Sequence, residues 1–230
     1  MHPTKLSQGI IERAVEGRRS LHPLADLNPA RTALLVVDMQ EFFIDMVPAA
    51  REIVANINRL AKAVRLGGGH VVWIKMTVDE ADAQSWSHFY MRLLSQKGTA
   101  AHFNQLKRGE PQWQVWHELN VAEQDWQVEK HRFSAFIQGS SDLEQRLRKA
   151  GVDTVLVTGT VTNVCCESTA RDAMMLNFAT IIVADGCAAL DDDAHLATLG
   201  NFQTVFGDVL HVDEILAGIE KTVPLKRSSL

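Results

Sequence analysis

Of the three cysteines in the chain, Cys165 has the setting that most favours chemistry. In Val157-Thr158-Gly159-Thr160-Val161-Thr162-Asn163-Val164-Cys165, a strand ends at Gly159, a tight turn follows, and a helix begins near Asn163. A thiol in the first turn of a helix meets unsatisfied N–H groups and the positive end of the dipole, both of which favour a thiolate. The help is partial. Deprotonating a free thiol of pKa ~8.5 at pH 7 costs roughly 2 kcal/mol, and a helix N-terminus offsets ~0.3–1 kcal/mol of that. A proton acceptor must therefore lie nearby, and the same N–H groups are placed to hold an oxyanion. Cys166, about 100° further round the helix, falls with Thr169, Ala170, Ala173 and Met174 on a face suited to burial. Cys187, just past Val183-Ala184-Asp185-Gly186, reads as structural. An odd cysteine count with two adjacent members argues for reduced thiols rather than a disulfide framework.

Two charged residues qualify as partners of that thiol. Asp38 directly follows the apolar run Leu34-Leu35-Val36-Val37, and Lys130 closes the short run Gln127-Val128-Glu129. In an open parallel sheet the carboxyl ends of the strands face the ligand crevice, so both charges can converge there. Their convergence would keep the carboxylate ionised beside the ammonium. Taken singly, each has an ordinary alternative: Asp38 as the cap of a loop or helix, Lys130 as a surface lysine.

The elements that would position these groups alternate in type. Strands are expected at about Thr32 to Asp38, His70 to Thr77, Asp125 to Val128, Thr154 to Thr160, Thr180 to Asp185 and Asp208 to His211. Between the first two, Ile53, Ile57, Leu60, Ala61 and Val64 repeat at helical spacing until Gly67, Gly68 and Gly69 stop the helix. Ser141 caps a second helix that carries Leu143, Leu147 and Ala150 on one face and ends at Gly151. The pattern is that of an α/β fold, a doubly wound, six-stranded, mostly parallel sheet with helices on both faces. Residues 1–30 form an arm of the kind that often packs on a neighbouring subunit, 31–222 a single domain, and 223–230 a solvated basic tail. The stretch 78–118 holds Trp86, Phe89, Tyr90, Phe103, Trp113 and Trp116 without a clear strand. It is either a pocket wall at a strand's carboxyl end or an aromatic cluster tying down a long loop.

Composition narrows the function classes. The 230 residues are 46% hydrophobic, and 23 basic against 28 acidic side chains give a net charge of −5. Such a chain builds a sizeable core and lacks the basic face expected of a nucleic-acid binder. No apolar run approaches the ~20 residues of a membrane span, and the N-terminus has no signal-peptide pattern, so a cytoplasmic enzyme acting on a small molecule is expected. The glycine cluster 67–69 ends a helix instead of following a strand, which argues against dinucleotide binding. Nine scattered histidines show no metal-ligand spacing; His131, beside Lys130, is the one placed near the proposed chemistry.

Val37-Asp38-Met39-Gln40, Lys130 through Phe136, and Thr162-Asn163-Val164-Cys165 through Arg171-Asp172-Ala173 resemble, in order, the motifs of the isochorismatase-like superfamily of cysteine hydrolases. The likeness extends from Thr32 to Ile219. It implies a Rossmann-like three-layer fold, a catalytic set of Asp38, Lys130 and Cys165, and a cis peptide at Thr160–Val161. It also implies an oxyanion hole from the N–H groups of Val161 and Cys165, with no cofactor. Isochorismate-cleaving members do without the cysteine, so Cys165 favours an amide, ureido or N-carbamoyl C–N bond as substrate. Metal-binding nicotinamidases place histidines after the second strand, where this chain has no close pair, so no metal is expected. Ureidoacrylate hydrolases resemble the nucleophile segment and Phe202 through Phe206, but their polar residue after the second strand is replaced around Met76. Gln40, Phe43, Met76, Trp86 and Phe133 are expected around the substrate, and Arg92, Lys97, Lys107, Arg108 and Arg132 offer cations for a substrate carboxylate. A homo-oligomer, dimer or tetramer, is expected. Two other readings stay open: vinyl-ether hydrolysis with Asp38 as general acid and Cys165 incidental, and a non-catalytic assembly or binding protein on the same fold.

Overall fold

The computed structural model describes residues 1–18 and 20–222. Arg19 and the basic tail, 223–230, lie outside the described residues. The chain opens with helix α1 (Gln8–Glu16) and then lays down β1 (Thr32–Val37), whose six residues are all buried. A short helix α2 (Glu41–Met46) and the longer α3 (Val54–Leu66) lead to β2 (His70–Met76). Helices α4 (Asp82–Ser85) and α5 (Gln96–Gln105) lie in the insertion before β3 (Trp126–Lys130). Then come α6 (Leu143–Lys149), β4 (Thr154–Thr160), α7 (Glu167–Met175), β5 (Ala179–Ala188), α8 (Asp192–Asn201), β6 (Asp208–Leu210) and α9 (Val212–Thr222).

The strands form one sheet in the order β3-β2-β1-β4-β5-β6, and every pairing is parallel. The sheet is thus wholly, not mostly, parallel. Side chains of β1 alternate between two cores, as the period of a strand requires. Leu34 and Val36 join Ile57, Leu60 and Ala61 of α3 and Ile215 and Ile219 of α9 on one face. Ala33, Leu35 and Val37 join Leu143 and Leu147 of α6, Ala170 and Ala173 of α7 and Leu199 of α8 on the other. Burying each such Val, Leu or Ile contributes roughly 1.5–3 kcal/mol, which is why these runs read so clearly as core. Ala150, expected on the buried face of α6, is exposed, because the helix has already ended at Lys149.

Strand ends differ from expectation where charge interrupts the apolar pattern. β3 continues through Glu129 to Lys130, since the ladder with β2 runs on to the Met76–Lys130 pair. β5 continues through Asp185 and Gly186 to Ala188 by an irregularity: Val157 pairs with Ile182, but Gly159, two residues on, pairs with Cys187. The arm lies along the same chain, with Gln203 Nε2 donating to Leu21 O (2.8 Å) and His22 Nδ1 at 2.8 Å from Asp208.

The order reverses between β1 and β4, which leave Val37 and Gly159 side by side. This is the topological switch point, where open α/β sheets form their ligand crevice. Gly159 is required for the closeness: at φ 110° a Cβ would come within 2.0 Å of the Val37 carbonyl oxygen.

Candidate active site

Asp38 is the first residue beyond β1, and its backbone sits in the left-handed region at φ 50°. A non-glycine residue holds such a conformation only where its surroundings enforce it. Its N–H donates to Ile74 O (2.9 Å) on β2, and its C=O accepts from Thr160 Oγ1 (3.0 Å) on β4. Gripped from both neighbouring strands, the carboxylate is fully buried.

Lys130, also fully buried, reaches across from the end of β3. Its Nζ lies 2.8 Å from Asp38 Oδ2, donates to Arg132 O (3.1 Å), and stands 3.5 Å from Cys165 Sγ and 3.6 Å from Met76 Sδ. One ammonium thus links the carboxylate to the thiol.

Cys165 lies in a wide turn, Thr162–Cys166, that opens into α7. The peptide between Thr160 and Val161 is cis. Thr162 Oγ1 is 3.0 Å from His195 Nδ1, a contact that ties the turn to α8. Cys166 points into the sheet, its Sγ 3.8 Å from Thr158 O, and Cys187 Sγ lies 3.5 Å from Val157 O.

Electrostatics here outweigh the partial help expected of a helix start. Burial, together with the adjacent Asp38 charge, pushes the Cys165 thiol far above its ordinary value, and Lys130 offsets only part. A turn's partial charges are small against the cost of burying an anion. Burial also raises Asp38 above the usual carboxylate range, against the pull of Lys130 and of the Cys165 thiol. Asp38 and Cys165 together hold Lys130 in its charged form despite its burial. The thiol therefore rests protonated beside a carboxylate more basic than a free one.

Cys165 opens onto a cavity of about 180 Å³. Phe43, Met76, Phe133 and Val161, singled out in the sequence, line it with Cys165. Gln40 and Trp86 do not. Gln40 is fully buried and bridges two segments: its amide nitrogen donates to Met76 O (3.1 Å) and Trp113 O (2.9 Å), and its oxygen accepts from Met76 N (2.8 Å). Trp86 backs the wall, stacked on Phe89 at 4.3 Å and edge-on to Phe133 at 4.9 Å. The insertion is both things foreseen for it, since Phe89, Leu94 and His102 line the cavity while Trp86, Tyr90 and Phe103 brace it from behind. His102, Met46 and Leu190 were not legible as site residues, because three segments far apart in sequence contribute them singly.

The cations foreseen for a carboxylate lie elsewhere. Arg92, Lys97 and Lys107 are exposed, and Arg108 pairs with Glu129. Arg132 is held by Asp82 (3.1 Å) and the Ser85 backbone (3.2 Å), and His131 Nδ1 lies 3.0 Å from the same Asp82. These bonds fasten the insertion to the end of β3. Among the described residues, no group of three or more His, Cys, Asp or Glu side chains is placed to hold a metal ion, and no helix is long and apolar enough to cross a membrane.

The chain resembles known proteins in sequence and in fold. A ureidoacrylate amidohydrolase of Pseudomonas syringae pv. syringae is 31% identical over 206 residues, 82% of this chain and 83% of that protein. The crystal structure of a cysteine hydrolase from Pseudomonas syringae pv. phaseolicola superposes with a TM-score of 0.73 at 29% identity, covering 86% of this chain and 96% of that one. An N-carbamoylsarcosine amidase from Thermoplasma acidophilum gives a TM-score of 0.62 at 26% identity, covering 80% and 97%. The Isochorismatase domain pattern matches residues 32–214, from the first residue of β1 to within α9, and the chain accordingly belongs to the isochorismatase family.

Proposed function

We propose that this protein is a cysteine hydrolase that cleaves a C–N bond of a small amide, ureido or N-carbamoyl substrate through a thioester. The supporting observation is the Lys130 ammonium, 2.8 Å from Asp38 and 3.5 Å from Cys165 Sγ at the edge of a small cavity. Relatives with amidohydrolase and amidase names point the same way. Asp38 accepts the thiol proton as sulfur attacks the carbonyl carbon, so a free thiolate need never accumulate. The N–H groups of Val161 and Cys165 receive the resulting oxyanion. Asp38 then passes its proton to the leaving nitrogen, the C–N bond breaks, and a thioester remains. Water, deprotonated by Asp38, cleaves the thioester and restores the thiol. Lys130 stays protonated throughout and balances the charge on Asp38.

Incubating the protein with primary amides, N-carbamoyl acids and ureido acids tests this reading. Ammonia release together with an acyl adduct on Cys165, seen by intact mass, is the expected result. Turnover of these substrates that survives in Cys165→Ala would overturn the thioester route, and hydrolysis of a vinyl ether by that variant would favour Asp38 acting as a general acid.

A further inference from the structure

The lining of the cavity beside Cys165 bears on which substrates enter it. Phe43, Met76, Phe89, Leu94, Phe133 and Leu190 give it an apolar wall, and no arginine or lysine is among its lining residues. At about 180 Å³ it is smaller than the ~300–1,000 Å³ typical of pockets for drug-sized ligands. A carboxylate placed here would shed its water without gaining a free cation, a costly exchange, since the one ammonium beside Cys165, Lys130, is already paired with Asp38 at 2.8 Å.

Two polar side chains interrupt the wall, the exposed Asn163 and His102. His102 lines the cavity, and its Nδ1 is inaccessible to solvent with no hydrogen-bond partner. The ring is held edge-on by Phe42 (5.5 Å) and Tyr90 (6.0 Å) and lies 6.1 Å from Phe89. Burial, reinforced by the Lys130 ammonium, pushes the imidazole down to about 4, so it is uncharged at neutral pH. An orphaned buried nitrogen is costly and gains from any ligand that supplies a partner.

We propose that the cavity takes small uncharged carboxamides whose acyl group is apolar apart from one hydrogen-bonding atom, and that His102 pairs with that atom. His102 is then a specificity-determining residue, and the negatively charged ureido acids are poor substrates. This rests on the thioester reading above for the placing of the carboxamide carbon at Cys165.

Three probes of similar size test it: isobutyramide, 2-hydroxyisobutyramide and succinamate. Binding is measured by calorimetry to Cys165→Ala, where no turnover intervenes, and kcat/KM on the native protein by ammonia release. Both amides are expected to exceed succinamate at least ~tenfold, in keeping with the cost of an unpaired buried charge. His102→Phe is expected to lower the ratio of 2-hydroxyisobutyramide to isobutyramide by roughly three- to tenfold, the worth of one hydrogen bond. His102→Asn, which keeps a polar atom near the Nδ1 position, is expected to preserve that ratio. Succinamate binding as well as the amides, a ratio unmoved in His102→Phe, or no binding of any probe would overturn the inference. Selective binding of the amides without turnover would uphold it and remove the hydrolase reading instead. Turnover with succinamate preferred would do the reverse.

Discussion

Lys130 Nζ and Asp38 Oδ2 lie 2.8 Å apart with both side chains wholly out of water. Removing one member of such a pair strands the other charge, at a cost of ~3–5 kcal/mol. Lys130→Met is therefore expected to lower unfolding stability by that amount in urea titration and to abolish activity. Adding Asp38→Asn to it should recover much of the stability and none of the activity. A purely additive double mutant would show that the two groups do not interact.

The adjacent thiols should separate cleanly. Cys165 faces the cavity, while Cys166 is sealed in the sheet. Cys165→Ala is expected to reduce turnover at least ~10³-fold, as loss of a nucleophile generally does, with little change in stability. Cys166→Ala should retain measurable turnover and lose on the order of 1 kcal/mol through the small void it leaves. Iodoacetamide under native conditions should mark Cys165 alone, as peptide mapping would show.

The acid limb of the pH–rate profile follows from Asp38. Its pKa is raised by burial above the ordinary 3.8. Only the ionised form accepts the thiol proton, so kcat/KM should fall at a pH higher than a free aspartate would dictate. A limb at or below the ordinary value would assign the base to another group.

Acid should also weaken the fold through two histidines. Burial pushes His102 and His195 from 6.5 down to about 4, with Lys130 adding to the effect at His102 and His2 at His195. Between those values the unfolded chain binds protons that the folded one refuses, so stability falls as pH drops through that window. The melting temperature of His102→Phe should decline less steeply from pH 6.5 to 4 than that of the native protein.

Gly159→Ala probes the switch point. The added Cβ would collide with the Val37 carbonyl at 2.0 Å, at a φ of 110° that side chains rarely adopt. A loss of ~3 kcal/mol or more is expected from such strain, or about 6–12 °C in melting temperature for a chain of this size. Gly139→Ala, also at positive φ but with open space around its Cβ, should cost less.

Much of this protein is written locally. The all-buried run of β1, the helical spacing of α3 and the three glycines after it each report their own structure, because backbone period and side-chain burial act over a few residues. The positions of Asp38 and Lys130 at strand ends, and of Cys165 in the turn between β4 and α7, follow from the same local pattern, and the rule that parallel strands present their carboxyl ends to one crevice brings them together. Which residues share the cavity depends instead on how the insertion folds back over the sheet. Gln40 reads as a polar residue beside Asp38, yet it serves as a bridge to Met76 and Trp113, and only the packed chain shows this. The need for a proton acceptor beside the thiol is readable from sequence, but the extent of its burial beside a carboxylate, which raises the thiol further, is not. His102 carries no local signal: three aromatic rings and an ammonium are assembled around it by tertiary contacts, and those contacts, not its neighbours in sequence, supply the burial and charge that keep the imidazole neutral.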